Sequence, residues 1–350
     1  MSKKILVGVL VAMLFFSSCE RESVDEAWII DTHFHLDGDG LQNNFDDAAE
    51  YAVSLFEEFN IKSVLLMPPP QTEGQKMSYD YDELLPIVEA YPEYFKLVAG
   101  GGSLSRLINE AYNDGEVTDD MRDEFEETAQ EIVDAGAVAF GEMASLHLSF
   151  RDTHPFEYAP PNHELFLLLA DISAENDMPI DWHMEAVSED QSPRSFFNEI
   201  SSNNPDVLYA NIAEFEELLD YNLDAKIVWQ HIGWDNTGDM TSDLIRRLLA
   251  DHSNLYLSLR VEDPEYSKSV VENRLVDDDG FIRDEWLQLI SDYPDRFMIG
   301  TDEFVYNPST GVDKIGPPSF QLTVEFLDQL PEDLAYQVGY ANAARVYGLE

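Results

Sequence analysis

The sequence has little cysteine and little positive charge, and both shortages limit the classes of protein that it can be. Its 350 residues include one cysteine, Cys19, so the domain that follows has no internal disulfide and no thiol nucleophile. Lysine and arginine number 20 against 70 aspartates and glutamates, a formal net charge of −50. A surface of that charge repels nucleic acids and anionic membrane faces. We therefore expect a small-molecule partner and no nucleic acid.

Residues 1–19 hold the chain's long apolar run, and they predict a leader peptide. Lys3 and Lys4 precede the apolar residues 5–16, and Ser17, Ser18 and Cys19 follow them. The run is short for a permanent membrane span and has the layout of a secretory signal. Its end resembles a bacterial lipobox, so we expect an exported protein anchored to the cell envelope only by a lipid on Cys19. Ordinary cleavage without a lipid is the alternative. Loss of both lysines takes the net charge from −50 to −52.

Residues 20–350 predict one α/β domain, because short apolar runs alternate with amphipathic segments of helical length. Eight such runs are the number in a (β/α)8 TIM-type barrel. The predicted strands are 28–33, 61–67, 95–100, 137–142, 179–183, 226–231, 254–259 and 296–302. The predicted helices are 45–59, 82–90, 119–135, 162–176, 208–221, 241–250, 284–292 and a last stretch over 319–347.

Polar side chains that can bind metals stand at the ends of five of these strands. His33 and His35 are two residues apart, so they project from the same face of the first strand, with Asp31 predicted beside them. The later strands end in Glu142, His183, His231 and Asp302. Because the carboxyl ends of parallel strands meet at one mouth of a barrel, we expect these groups to converge. Four imidazoles and two carboxylates suit Zn²⁺, Mn²⁺ or Fe²⁺.

This order of motifs resembles the amidohydrolase superfamily, in particular its amidohydrolase-related (amidohydrolase family 2) branch. The C-terminal residues 342–349 add to the likeness. The resemblance implies that His33, His35 and Asp302 hold one metal, and that His183 and His231 hold a second metal or the reacting group. Glu142 is similar to the glutamate that bridges two metals in TatD-type nucleases. If Glu142 only caps a loop, the site has one metal and His231 orients or activates the water.

The resemblance also implies a function. We expect a hydrolase with one or two divalent cations, Zn²⁺ first among them, that attacks a small ester, lactone, amide or phosphoester with metal-bound hydroxide. Asp302 and His231 are the predicted catalytic residues, and Asp302 carries the proton of the water to the leaving group. One alternative is a decarboxylase of the same superfamily with a single metal. Another is a surface binding protein that keeps the barrel without catalysis.

Three further residues are candidates for substrate binding. Arg260 ends the seventh strand and pairs with a substrate carboxylate or phosphate, or else with one of the many acids of the chain. His147 is predicted in a mouth loop beyond Glu142, where it touches substrate. Glu185 lies two residues past His183 and either orients a ligand or the substrate or is an ordinary loop residue. The remaining aromatic and imidazole side chains are predicted to pack at the barrel rim or to be structural or solvated: Trp182, Trp229, Trp234, His154, His163 and His252.

Overall fold

A closed barrel of eight parallel strands forms the centre of the molecule, as the alternating pattern predicts. The computed structural model describes residues 28–37, 45–72, 79–310 and 318–349, so the predicted leader and Cys19 lie outside the described residues. The strands are β1 (Ile29–Asp37), β2 (Ile61–Leu66), β3 (Phe95–Gly100), β4 (Ala139–His147), β5 (Glu157–Tyr158), β6 (Ile180–Met184), β7 (Ile227–Ile232), β8 (Leu255–Leu259), β9 (Phe297–Ile299) and β10 (Glu303–Tyr306). The barrel order is β1-β2-β3-β4-β6-β7-β8-β9, and pairing of Asp31 with Ile299 closes it.

Two short strands modify the ideal barrel near its mouth. β5 lies outside the ring and pairs antiparallel with the end of β4, so His147 stands opposite Glu157. β10 continues the last barrel strand after a break and pairs with the second half of β1, beginning with Phe34 opposite Glu303. Asp302 lies in this break with a φ of 51°, and its N–H donates to the carbonyl of His33 over 2.9 Å. The break therefore turns Asp302 out of the regular ladder beside the histidines of β1.

Helices cover the outside of the barrel. They are α1 (Asp46–Phe59), α2 (Tyr81–Ala90), α3 (Leu104–Asp114), α4 (Asp119–Asp134), α5 (Glu164–Asn176), α6 (Ser195–Ile200), α7 (Ile212–Tyr221), α8 (Ser242–Asp251), α9 (Asp284–Asp292), α10 (Ser319–Leu327), α11 (Glu332–Tyr336) and α12 (Asn342–Val346). Trp182 packs between Phe166 of α5 and Phe215 of α7 and is fully buried. Trp182 and Trp229 thus fill the layer between strands and helices, below the predicted rim.

The helix predictions are wrong in three places: α3 and the short α6 were not predicted, and the last predicted stretch is divided. The glycine run at 100–102 is typical of a loop, so the sequence did not predict α3, which begins two residues later. The stretch 319–347 is not one helix, because Pro331 lacks the N–H that would continue α10 and disfavours helical geometry at Leu330. A π-helical turn, Gln337–Ala341, then joins α11 to α12.

The amino-terminal end of the barrel is filled by a buried polar group rather than by apolar side chains alone. The hydroxyl of Tyr347, which follows α12, donates to Asp181 of β6 over 2.5 Å. Gln230 of β7 donates to the same oxygen over 2.9 Å. Burial raises the pKa of Asp181 well above its usual range. The end opposite the mouth is closed by these contacts.

Among the helices of the described residues, none combines the length and apolar character needed to cross a bilayer.

Candidate metal centre

The two histidines of β1 lie side by side at the mouth of the barrel. Both are fully buried, and their Nε2 atoms are 2.9 Å apart. The Nδ1–H of His35 donates to the backbone carbonyl of Met67 over 2.9 Å, which leaves Nε2 of His35 as the free nitrogen. Two causes therefore bring the two Nε2 atoms together: the alternation of side chains along β1, and the main-chain hydrogen bond that orients His35.

Asp31 does not join the two histidines, although the strand pattern predicted all three on one face. The pairing register of β1 with β2 is irregular between Asp31 and Phe34, so strict alternation fails there. The Asp31 carboxylate instead accepts the backbone N–H and the hydroxyl of Thr301, over 2.8 and 2.6 Å. Burial raises the pKa of Asp31 to about 7, against the opposing effect of these hydrogen bonds. Asp31 therefore links β1 to the residues after β9, where the barrel closes.

Glu142 of β4 stands between two groups of histidines, with one oxygen toward each. Its Oε1 lies 2.6 Å from Nδ1 of His183 and 3.0 Å from Nε2 of His231. Its Oε2 lies 3.5 Å from Nε2 of His33 and 3.7 Å from Nε2 of His35. A carboxylate in this position can bridge two cations, and a loop cap would have no reason to face four imidazoles.

Asp302 completes the β1 side of the centre. Its Oδ1 lies 3.4 Å from Nε2 of His35 and 3.7 Å from Nε2 of His33. Its Oδ2 lies 2.5 Å from Nη1 of Arg260 and 4.0 Å from Nδ1 of His231. We call His33, His35, Asp302 and Glu142 Oε2 the first subsite. His183, His231 and Glu142 Oε1 form the second subsite.

The electrostatics of the centre leave its acids ionised. Burial opposes ionisation of Glu142, but His33 and the hydrogen bonds from His183 and His231 outweigh burial and hold its pKa well below the usual range. Burial also opposes ionisation of Asp302, but Arg260 and the histidines around it together outweigh burial, so the pKa of Asp302 is lowered too. Two anionic carboxylates among four imidazoles are a set that attracts a cation.

The two histidines of the second subsite differ in charge. Burial lowers the pKa of His231 to about 3, so this imidazole is neutral. Burial also acts to lower the pKa of His183, but the hydrogen bonds and charges of Glu142 and Glu185 raise it to about 10. His183 therefore carries a proton that a cation would displace.

The donor set fits a pair of divalent cations. Within the described residues, three overlapping triads have ligand atoms within 4.8 Å of one another: His33–His35–Glu142, His33–His231–Asp302 and Glu142–His183–His231. The donors are imidazole nitrogens and carboxylate oxygens, which suits zinc, manganese or iron. All six predicted ligands are thus brought together from five barrel strands, and Glu142 belongs to two of the triads.

The predicted substrate residues Arg260 and Glu185 both serve ligands in this structure. Arg260 pairs with Asp302, and its guanidinium lies 4.0 Å above the ring of Trp234. The buried carboxylate of Glu185 lies 3.8 Å from Nε2 of His183 and accepts the side-chain N–H of Asn236 over 3.0 Å. Of the alternatives that the sequence left open, the structure shows the salt bridge for Arg260 and proximity to the predicted ligand His183 for Glu185.

His147 is the last residue of β4, so its predicted place in a mouth loop is wrong: the strand continues because β5 pairs with its end. The His147 ring lies 4.3 Å from that of His183. Its Nδ1 is 3.9 Å from the carboxylate of Glu157, which is fully buried and has no hydrogen-bond partner among the described residues. Burial raises the pKa of Glu157 to about 8.

A cleft of about 280 Å³ opens above the centre. One wall is aromatic, with Phe150 stacked on Trp234 at a ring separation of 5.2 Å and an angle of 16°. His154, predicted to be structural or solvated, lies in this wall, and Trp234 lies above His231 and not merely at the rim. The only sequence signal for Trp234 was its position three residues after His231. The cleft is lined by Pro69, Pro70, Glu142, His147, Phe150, His154, His183, His231, Trp234, Arg260, Asp302 and Phe304.

Comparisons with known proteins agree with this geometry at the level of the fold. No protein-family model and no curated protein matches the sequence. Among solved structures, a probable 2-pyrone-4,6-dicarboxylic acid hydrolase from Acinetobacter baumannii matches with a TM-score of 0.52 at 11% identity, over 91% of this chain and 99% of that one. The chain has the barrel fold of that hydrolase.

Two further solved structures have more distant similarity. An amidohydrolase 2 from Bifidobacterium longum subsp. infantis matches with a TM-score of 0.43 at 12% identity, over 92% of this chain and 99% of that one. A TatD homologue from Escherichia coli K12 matches with a TM-score of 0.47 at 14% identity, over 92% and 98%. The similarity to the hydrolase from Acinetobacter baumannii confirms the predicted barrel fold.

Proposed function

We propose that the protein is a metal-dependent hydrolase that uses two divalent cations, zinc first among the candidates, at the mouth of its barrel. The observation that carries the proposal is the position of Glu142, whose two oxygens face different pairs of histidines at 2.6–3.0 Å and 3.5–3.7 Å. A protein with one cation, such as the alternative decarboxylase, has no need of that arrangement.

The residues around the cations have distinct roles in the proposed reaction. When bound, the cations lower the pKa of water toward about 7 and polarise the bond under attack. Asp302 accepts the proton of the attacking water at Oδ1 and passes it to the leaving group. Arg260 holds Oδ2 of Asp302 at 2.5 Å and keeps the carboxylate ionised. His231 serves as a ligand, and its neutral state supports that role.

The cleft supports a small substrate. Its volume of about 280 Å³ suits a compact organic molecule, and the stacked Phe150 and Trp234 offer a flat apolar wall. Arg260 lines the cleft, but its charge is engaged by Asp302. Together with the net charge of −50, this disfavours a polyphosphate chain as the substrate. We therefore propose a small ester, lactone, amide or phosphoester.

The test combines metal analysis with a substrate screen. Purified protein is loaded with zinc, manganese or iron, its metal content is measured, and it is assayed on panels of esters, lactones, amides and phosphoesters. Because the structural neighbour from Acinetobacter baumannii is named as a hydrolase of a pyrone dicarboxylic acid, lactones come first. We expect two equivalents of metal and turnover in one panel. Saturation at one equivalent, with release of carbon dioxide from aromatic carboxylic acids, would overturn the proposal.

We also propose that the protein is exported and anchored to the bacterial envelope by a lipid on Cys19. The support is in the sequence alone: Lys3 and Lys4, the apolar run over residues 5–16 and the small residues before the cysteine. Mass spectrometry of the membrane fraction should find a mature chain that begins at a diacylated Cys19. An unmodified N-terminus at another residue would contradict this.

A further inference from the structure

His183 presents its two ring nitrogens to two different carboxylates. Nδ1 lies 2.6 Å from Oε1 of Glu142, inside the second subsite. Nε2 points the other way and lies 3.8 Å from Oε1 of Glu185, within ion-pair distance. The nitrogen that can bind a cation is therefore Nδ1, and the nitrogen that must keep its proton is Nε2.

Glu185 is held in place from two sides. Its side chain is 2% exposed, and its Oε1 accepts the side-chain N–H of Asn236 over 3.0 Å. Its backbone carbonyl accepts the side-chain N–H of Asn211 over 2.8 Å. Asn211 is itself buried and also accepts the backbone N–H of Val187 over 2.9 Å. A buried carboxylate with this support stays beside Nε2 of His183.

The first subsite orients its histidine in a different way. The proton on Nδ1 of His35 is held by the backbone carbonyl of Met67, a neutral group that no side-chain substitution removes. At His183, the group that faces the ring nitrogen turned away from the subsite is the carboxylate of Glu185. A carboxylate on the far nitrogen fixes the tautomer and makes the imidazole a stronger donor to a metal than a carbonyl does. The two subsites thus depend on different kinds of support.

We propose that Glu185 is a positioning residue that fixes His183 with Nε2 protonated and thereby sets the affinity of the second subsite for its cation. The inference rests on the proposed two-cation function and adds a residue that touches no substrate. It also links the second cation to the loop that carries Trp234, because Asn236 lies on that loop and binds the same carboxylate oxygen.

Metal titration of three full-length proteins tests the proposal. Glu185→Gln keeps the size of the side chain and removes its charge. We expect the second zinc equivalent to bind about 10- to 100-fold more weakly, while the first equivalent is unchanged. Glu157→Gln is the control: it makes the same substitution at another fully buried acid near the centre, one that faces His147 rather than a predicted ligand. Both affinities of this control should equal those of the wild type.

The possible outcomes separate this inference from the function on which it rests. Wild-type protein that binds one equivalent would overturn the two-cation function and this inference with it. Two equivalents in the wild type and an unchanged second affinity in Glu185→Gln would overturn the inference alone. If circular dichroism shows that Glu185→Gln is unfolded, Asn236→Ala decides, because it frees the same carboxylate oxygen and keeps the charge. A weaker second equivalent supports the inference, and an unchanged one overturns it.

Discussion

Five acids in the interior of this protein fall into two groups whose pKa values shift in opposite directions, although none of the five is exposed to solvent. Glu142 and Asp302, in the metal centre, have lowered pKa values, because histidines and Arg260 surround them. Asp31, Asp181 and Glu157, which are not among the predicted ligands, have raised pKa values, and burial is the main cause in each case. The partners of a buried carboxylate therefore decide whether it is charged, and only the charged group suits a cation.

The largest expected effect comes from Asp302→Asn, which removes the proton acceptor of the charged group. Asparagine keeps the size of the side chain and tolerates the positive φ at this position. We expect turnover to fall by about 10²–10⁴-fold, the range for loss of a general base. Steady-state kinetics of metal-loaded protein measures this. Turnover within a factor of a few of the wild type would show that another group moves the proton.

Glu142→Gln tests the other member of the charged group. A neutral amide is a poorer ligand for a divalent cation than a carboxylate, so both cations should bind more weakly, the second most of all. We expect the metal content to fall from about two equivalents per chain to at most about one. Elemental analysis after dialysis measures the content. A variant that retains the full wild-type content would return Glu142 to the role of a loop cap.

Glu157→Gln tests the neutral group. The folded protein holds the proton of Glu157 up to a pKa of about 8, against an ordinary value of 4.5. As pH rises through that interval, the unfolded chain loses this proton first, so the wild type is destabilised. Glutamine has no proton to lose, so the variant should gain about 3–5 kcal/mol relative to the wild type between pH 4.5 and 8.

Denaturant unfolding of both proteins at several pH values measures this difference. The two stabilities should run in parallel below pH 4.5, where glutamate is neutral in both states, and diverge as the pH rises. A difference that does not depend on pH would mean that Glu157 is ionised in the folded protein like the acids of the centre.

The smallest effect concerns the exposed acids, which belong to neither group. With a net charge of −50, mutual repulsion should destabilise the protein at low ionic strength, and salt should relieve it over a Debye length of about 10 Å at 0.1 M. We expect the melting temperature to rise by several degrees from low salt to molar sodium chloride. A flat or falling melting temperature would contradict this expectation.

The barrel could be predicted from the sequence because its signal is local. Each strand is a short apolar run next to an amphipathic helix, and all eight predicted runs are barrel strands. The convergence of the candidate ligands was also predictable, since each stands at the polar end of a predicted strand and parallel strands share one mouth. What the pattern lacked was the effect of long-range contacts, such as the pairing with β5 that extends β4 to His147.

The charge states of the acids could not be predicted in the same way. In the sequence, Asp31 and Asp302 are both aspartates at the polar end of an apolar run. Only the fold shows that Asp31 faces Thr301 whereas Asp302 faces Arg260. The irregular register of β1 turns Asp31 away from the centre, and the break between β9 and β10 turns Asp302 toward it. The periodicity of a single sequence shows neither feature.

The meeting of β1 with β9 and β10 also has a consequence for the order in which the protein can assemble. His33 leaves the ribosome some 270 residues before Asp302, its partner across the seam, and Tyr347 follows later still. Contacts so distant along the chain form late in folding, because they close the longest loops. The first subsite therefore cannot exist in a partly synthesised chain. Metal uptake at the first subsite would report that the whole barrel has closed, which makes it a usable signal of complete folding.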